Sequence, residues 1–299
     1  MKHVLGISLG SSQRDHAVTV NLMGEECKIE RFGTDGDMKR MIALIQEYDG
    51  KVDAFGLGGI DLYVFAEDKR YVIRDARKIT QAAKLTPIVD GSGLKHILDR
   101  RAIEYLAANT EIFKERPKVL LTCAMDRLGM AQALFETGSD VTLGDFLYIL
   151  NLPLPLKSLK SLSRLARLIA PIVVQLPFSM LYPTGEKQED RKPRQAKYFL
   201  ENDIIAGDFH FLKRYMPPEL PGKIVITNTV TRDDIRCLKE CGVKTLITTT
   251  PEMDGRSFGT NILEALLISL AGSTRELSRE QYNQMLEDLK ITPRIEELQ

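Results

Sequence analysis

Hydrophobic positions run along this chain in two rhythms. In the first hundred residues, VLGISLG (4–10), HAVTVNLMG (16–24) and ECKIERFG (26–33) have the short, β-rich character of strands. Asp37 stands where a helix N-cap belongs, ahead of the periodic run DMKRMIALIQEY. VDAFGLGG (52–59) reads as a buried strand ending in glycines. LYVFAEDKRYVIRD reads as a hairpin around Glu67–Asp68, and TPIVDGSGLKHIL (86–98) as a strand, a Gly/Ser loop and a helix start. A polar connector, TEIFKERPK, then closes at Pro117.

Beyond it the rhythm becomes regular. KVLLTC (118–123), DVTLGD (140–145), NDIIAGDF (202–209), GKIVITNT (222–229) and VKTLITTTP (243–251) predict strands, four of them with the apolar runs VLL, IIA, IVI and LIT. DRLGMAQALFETG, RDDIRCLKECG and FGTNILEALLISLAG predict helices, the first two stopped by Gly138 and Gly242. Strands and helices in alternation imply parallel pairing by right-handed crossovers, and the apolar runs imply a sheet covered on both faces. The expected class is α/β: a Rossmann-like, mainly parallel sheet over residues 113–299, preceded by a smaller N-terminal α/β domain over 1–112. An apolar insertion, 146–200, interrupts the second domain, and a charged helical tail, 273–299, folds back on the body. Within the insertion, Leu159, Leu162, Leu165, Leu168 and Ile169 form a stripe at helical spacing, with Lys157, Lys160, Arg164 and Arg167 between them. That stripe suits packing on the protein's own body, a contact in a homodimer, or a lid.

Composition narrows the partners. With 299 residues and 41 basic against 41 acidic side chains, there is no global field to draw nucleic acid or an anionic membrane. The cysteines at 27, 123, 237 and 241 match neither a zinc nor a thioredoxin spacing and read as small apolar residues in a reducing compartment. MKHVLGISLG has no signal-peptide pattern, and the most apolar stretch, 165–182, carries Arg167, two prolines and Gln175. These features predict a cytoplasmic protein with no integral membrane segment.

In an open parallel sheet, ligands gather beyond the carboxyl ends of the strands. Those ends supply Thr122, Asp126, Arg127, Gly129, Asp145, Thr227, Asn228 and Thr248 as candidate cofactor contacts. Asp145 follows Thr122 at about the spacing of a ribose-binding acid. However, aligning a G-x-G-x-x-G pattern on Gly129 puts Ala124 and Asp126 at the other glycine positions. An aspartate there would face a pyrophosphate with like charge, so either Arg127 offsets it, the cofactor binds otherwise, or there is none; Asp126 also reads simply as a helix N-cap. In AGDFH, an extended chain would put Asp208 and His210 on one face as an acid–base pair. Lys187, in the polar turn YPTGEKQ, is a third candidate for catalysis. In the first domain, GISLGSS (6–12) resembles the phosphate hairpin of sugar kinases and actin-like ATPases, with Ser8 where their acidic residue stands. Ser11 and Ser12 of that loop, and Asp90, Ser92 and Lys95 of VDGSGLK, are the candidate substrate contacts.

The stretches GTDGD, DAFGLGGIDLY, TPIVDGSGLK, LYPTGEKQ, IAGDFHF and TTTPEMDGRSFGTN resemble a bacterial family labelled quinate 5-dehydrogenase. That resemblance implies NAD- or NADP-linked oxidation of a ring hydroxyl on a small polyol acid such as quinate or shikimate. Two other classes stay open: a phosphoryl-transfer enzyme built on the glycine loops, and a non-catalytic ligand-binding protein.

Overall fold

The computed structural model describes residues 1–66, 69–176, 192–253 and 256–299. Contacts divide the chain into two compact units. The first comprises Met1–Ile97, the described part of Ile169–Gln188, and Phe258–Ile291; the second comprises Leu98–Leu168, the described part of Glu189–Ser257, and Thr292–Gln299. Where the sequence pattern breaks once, near residue 113, the chain in space passes between the units several times.

The first unit is built on a five-stranded sheet. Its strands are β1 (Lys2–Ser8), β2 (His16–Leu22), β3 (Glu25–Gly33), β4 (Ala54–Gly58) and, after the hairpin β5 (Tyr63–Ala66)–β6 (Lys69–Val72), β7 (Ile88–Val89). The order is β2-β3-β1-β4-β7, parallel except for β2 against β3. Helix α1 (Met38–Tyr48) starts at the predicted cap, whose Asp37 carboxylate accepts from Lys39 N and Arg40 N. Leu5, Ile7, Phe55 and Leu57 pack with Met41 and Ile45 of α1 and with Ile79 of α2 (Ala76–Thr80).

The second unit carries the predicted parallel strands. β8 (Lys118–Leu121), β9 (Asp140–Leu143), β10 (Ile204–Ala206), β11 (Ile224–Thr227) and β12 (Thr245–Thr248) pair in parallel, with no core strand out of place. A short hairpin, β13 (Glu252–Met253) and β14 (Arg256–Ser257), follows β12. The edge of the main sheet is closed by β15 (Arg294–Glu297), antiparallel to β12, so the sheet order is β15-β12-β11-β10-β8-β9. The tail therefore folds back as expected, but as a strand as well as a helix. One face of the sheet is covered by α3 (Ser92–Asn109) from Leu98 on and by α4 (Leu128–Glu136), through Ile103, Leu106, Met130 and Leu134. The other is covered by α5 (Asp145–Tyr148), α7 (Ala196–Glu201), α8 (Phe209–Tyr215) and α9 (Arg232–Glu240), through Tyr148, Phe199, Leu212 and Leu238.

The predicted stripe of the insertion lies on α6 (Leu159–Val173) and divides. Leu162 is buried in the second unit's core and Leu159 packs against it, whereas Leu168 points to solvent. Ala166 and Ala170 complete the buried face. The remaining helices, α10 (Thr260–Leu270) and α11 (Arg279–Asp288), belong to the first unit.

Candidate functional site

The strand ends of the second unit are polar, as their sequence indicates, but most of their polar atoms bind one another. The Thr122 hydroxyl donates to the Ala206 carbonyl at 3.3 Å, that of Thr227 to Gly207 at 2.8 Å, and that of Thr248 to Thr250 at 3.0 Å. All three side chains are fully buried and pin the loops that leave the sheet. Gly129 is buried inside α4. These four expected cofactor contacts do not face solvent.

Asp145 decides the question of a dinucleotide. Its carboxylate accepts from the amides of Ala124 at 3.1 Å and Met125 at 2.9 Å, in the loop where a pyrophosphate would have to sit. The side chain is buried, and burial pushes its pKa up to about 6 against the pull of those two amides. The loop thus carries its own anion. No ribose can reach Asp145, and a phosphate arriving at the same amides would meet a carboxylate. The NAD or NADP expectation is corrected on this geometry.

The Asp208–His210 pair is also not what spacing implied. β10 stops at Ala206, and Gly207 turns the chain at φ +143°. Asp208 then becomes the N-cap of α8, its Oδ1 accepting from the backbone amides of His210 and Phe211. The imidazole of His210 is exposed on the first turn of that helix. The two side chains do not share a strand face, so the acid–base reading is withdrawn. Lys187 lies outside the described residues.

What the second unit does assemble is an ionic cluster around Arg127. Its guanidinium is 2% exposed. Nη1 lies 3.1 Å from Asp99 Oδ1, Nη2 lies 3.1 Å from Asp208 Oδ2, and Nε lies 3.4 Å from Asp126 Oδ2. Burial acts to lower the Arg127 pKa, but Asp99, Asp126 and Asp208 outweigh it and hold the guanidinium firmly charged. Asn228 ties the cluster to β11. Its amide donates to Asp208 Oδ2 at 2.7 Å and its oxygen accepts from Phe209 N at 3.0 Å. Asp208 has both oxygens doubly engaged, so it holds the site rather than facing a ligand. Asp126 is different: its side chain is 35% exposed, and it does not cap α4, whose N-cap is Arg127. Beside Asn228, the Thr250 hydroxyl donates to the Asn228 carbonyl at 2.8 Å and meets the Thr229 hydroxyl at 3.0 Å.

Sequence reasoning missed Asp99. KHILDRRAIEYL offers no signal for it, because Asp99 is one of several charged residues in that helix.

In the first unit the glycine loop does not form a phosphate hairpin, because β3 lies between β1 and β2. Its amides are also taken internally. Gly10 N donates to Ser8 Oγ at 3.0 Å, Ser12 N to Asp35 Oδ1 at 2.7 Å, and Gln13 N to Ser11 Oγ at 3.2 Å. The second glycine loop behaves alike: the Asp90 carboxylate accepts from Leu62 N and Ser92 N, and Lys95 lies 3.5 Å from Asp61. Both anion-binding expectations, and with them the phosphoryl-transfer reading, are corrected for the same reason as at Asp145: a carboxylate or a hydroxyl of the chain already holds the amides.

The family model described as domain of unknown function (DUF8754) matches residues 93–298, and one described as domain of unknown function (DUF8753) matches residues 3–90. The chain belongs to the DUF8754 family. Its match takes in all of the second unit's sheet together with α10 and α11 of the first. No curated protein matches the chain. Among solved structures, it is similar to an ABC transporter solute binding protein from Agrobacterium vitis bound with α-D-tagatopyranose. Identity there is 10%, coverage 100% of this chain and 95% of the other, and the TM-score 0.41. It is also similar to one from Bacillus halodurans with bound myo-inositol, at 10% identity, 99% and 95% coverage and a TM-score of 0.40. A third, from Actinobacillus succinogenes with bound D-allose, shows 10% identity, 95% and 100% coverage and a TM-score of 0.37. The matching families are domains of unknown function, and these structures are solute-binding proteins. The family shown is a domain of unknown function, which corrects the expected quinate 5-dehydrogenase identity, and the oxidoreductase activity and dinucleotide cofactor expected with it are corrected on the geometry at Asp145. Among the described residues, no helix is long and apolar enough to cross a membrane.

Proposed function

We propose that the protein is a non-catalytic binder of a small, non-phosphorylated ligand that carries hydroxyl or amino groups. The ligand meets the carboxyl edge of the second unit's sheet, with Asp126, Asn228 and Thr229 at the contact and Asp99, Arg127 and Asp208 holding them in place.

The buried Arg127 cluster is the observation that carries this reading. Three carboxylates and one guanidinium leave a formal charge of −2 at that edge (−3 from Asp99, Asp126 and Asp208, +1 from Arg127). Burying such a network costs desolvation that an apolar core of equal volume avoids. The second unit already has two apolar clusters, one on each face of its sheet, so its fold does not require the charges. Perturbed ionisable groups at a strand-end edge suit a binding role. The sign of the cluster selects the ligand: it repels phosphate and favours hydroxyl or ammonium donors pointing at a carboxylate.

The test is a thermal-shift screen of inositols, aldoses, amino sugars and their phosphate esters, followed by calorimetry. An unphosphorylated polyol or amine should raise the melting midpoint, as any ligand of the native state must. Asp126→Asn should keep a single cooperative melting transition and weaken binding by about tenfold, the scale of one hydrogen bond to a charged group. Preference for the phosphate esters, or full affinity in Asp126→Asn, defeats the proposal.

A further inference from the structure

The loop after α5 and the first turns of α6 take no part in that ligand edge, and their composition is unlike the rest of the chain. Residues 146–185 contain Lys157, Lys160, Arg164 and Arg167 but no Asp or Glu, in a protein whose formal charge is zero. Lys157 is paired with Asp140 at 2.7 Å. Lys160 and Arg164 stand exposed one turn apart on α6, and Leu168 follows them on the same face.

The loop adds bare apolar surface. Ile149, Leu150, Leu152, Leu154 and, on the helix, Leu168 are between 44% and 73% exposed. A soluble surface tolerates single aliphatic side chains, but four within six residues form a patch. The loop is also held in shape. Leu152 N donates to the Phe146 carbonyl at 2.8 Å, and Leu156 exchanges backbone hydrogen bonds with Leu143 of β9 at 2.8 and 3.1 Å. Pro153 and Pro155 restrict the chain between them. The aliphatic side chains are therefore presented on a tied-down loop.

We infer that this surface docks reversibly on an anionic lipid bilayer. Ile149, Leu150, Leu152 and Leu154 enter the boundary between headgroups and acyl chains, and Lys160 and Arg164 lie against the phosphates. Apolar insertion next to a basic helix face is the chemistry of interfacial binding, and the two contributions act together. A second copy of the chain fits this surface less well. A two-fold contact would set the cations of one copy against those of the other with no carboxylate in the segment to offset them. The loop also lacks the aromatic anchors that centre most protein interfaces.

The experiment is co-sedimentation of the full chain with vesicles of phosphatidylcholine alone and of phosphatidylcholine mixed with phosphatidylglycerol. The protein should pellet with the mixed vesicles, stay in solution with the neutral ones, and be released by high salt. The double variants Leu152→Glu/Leu154→Glu and Lys160→Glu/Arg164→Glu should each lower partitioning by roughly tenfold or more. Because all four side chains are exposed, both should keep the wild-type melting midpoint; should one misfold, the other decides. Absence of binding to the mixed vesicles, or binding unchanged in a folded variant, overturns the inference. So does a dimer in light scattering that the leucine variant splits while vesicles have no effect, since the surface would then join two copies of the chain.

Discussion

Glu264 sits on α10 with its carboxyl fully buried, Oε1 accepting from the Tyr282 hydroxyl at 2.7 Å. Burial, and after it the nearby Asp90 charge, push its pKa up to about 8, so the group is neutral at pH 7. Unfolded, it would ionise near the ordinary glutamate value. Between those two values the native state binds the extra proton, so stability falls as pH rises from about 4 to 8. The full effect is on the order of 5 kcal/mol at about 1.4 kcal/mol per unit. Asp145, raised to about 6, adds a smaller loss over the lower part of the same window. Glu264→Gln keeps an oxygen for Tyr282 and removes the ionisation. Its melting midpoint should exceed that of the wild type at pH 8 and converge with it near pH 4; parallel curves would show that the carboxyl does not titrate in this window. The residue was visible in the sequence as the lone charge in NILEALLISL, and passed over because the run reads as apolar. Asp208 and His210 failed for the opposite reason. Their spacing was sound for a strand, but nothing in AGDFH marks that the strand stops two residues early and a helix begins at the aspartate.

Elements were more legible than single contacts. Most parallel strands of the second unit were readable from the runs VLL, IIA, IVI and LIT, which suit a doubly covered sheet, while β9, DVTL, was readable from its place in the strand–helix alternation. β15 was not, because three of the four residues of RIEE are charged and the segment looks like a solvated tail. The packing of α10 could not be read at all: it rests on glycines scattered through the first unit. A Cβ at Gly56 would meet the Asn261 carbonyl at 2.7 Å, and one at Gly91 would meet Asn261 N at 2.7 Å. Gly91 also has φ +91°, which a side chain rarely adopts. These absences of side chain let the helix N-terminus press against β4 and the end of β7. Gly91→Ala should therefore lose about 2–4 kcal/mol in denaturant unfolding, the sum of a strained φ and an overpacked contact. A loss under half a kcal/mol would show that the helix moves away freely and that the close approach does not constrain the fold.

At the scale of the whole molecule, the order of the sequence and the order in space part company. A reader of the pattern sees one break near residue 113, and the family models also divide the chain once, between residues 90 and 93. The contacts give the first unit its own segment Phe258–Ile291 from the far end of the chain, and give the second unit Thr292–Gln299 after it. The consequence can be derived from the first sheet. Leu5, Ile7, Phe55 and Leu57 face α1 and α2, so the alternate positions Val4, Gly6, Ala54 and Gly56 face the other way, where Ile262 of α10 lies against Gly6 and Gly56. Val4 and Ala54 are fully buried there. A fragment of residues 1–112 keeps every strand of the sheet but lacks α10, and so presents one apolar sheet face to water. A small parallel sheet covered on one side only buries too little surface to offset its conformational entropy. That fragment should show no cooperative transition in circular-dichroism melting, and a sharp transition should return when a peptide of residues 258–291 is added. A cooperative, soluble fragment 1–112 on its own would mean that the first half folds as the sequence pattern alone suggests, with α10 a late addition to a sheet already stable without it.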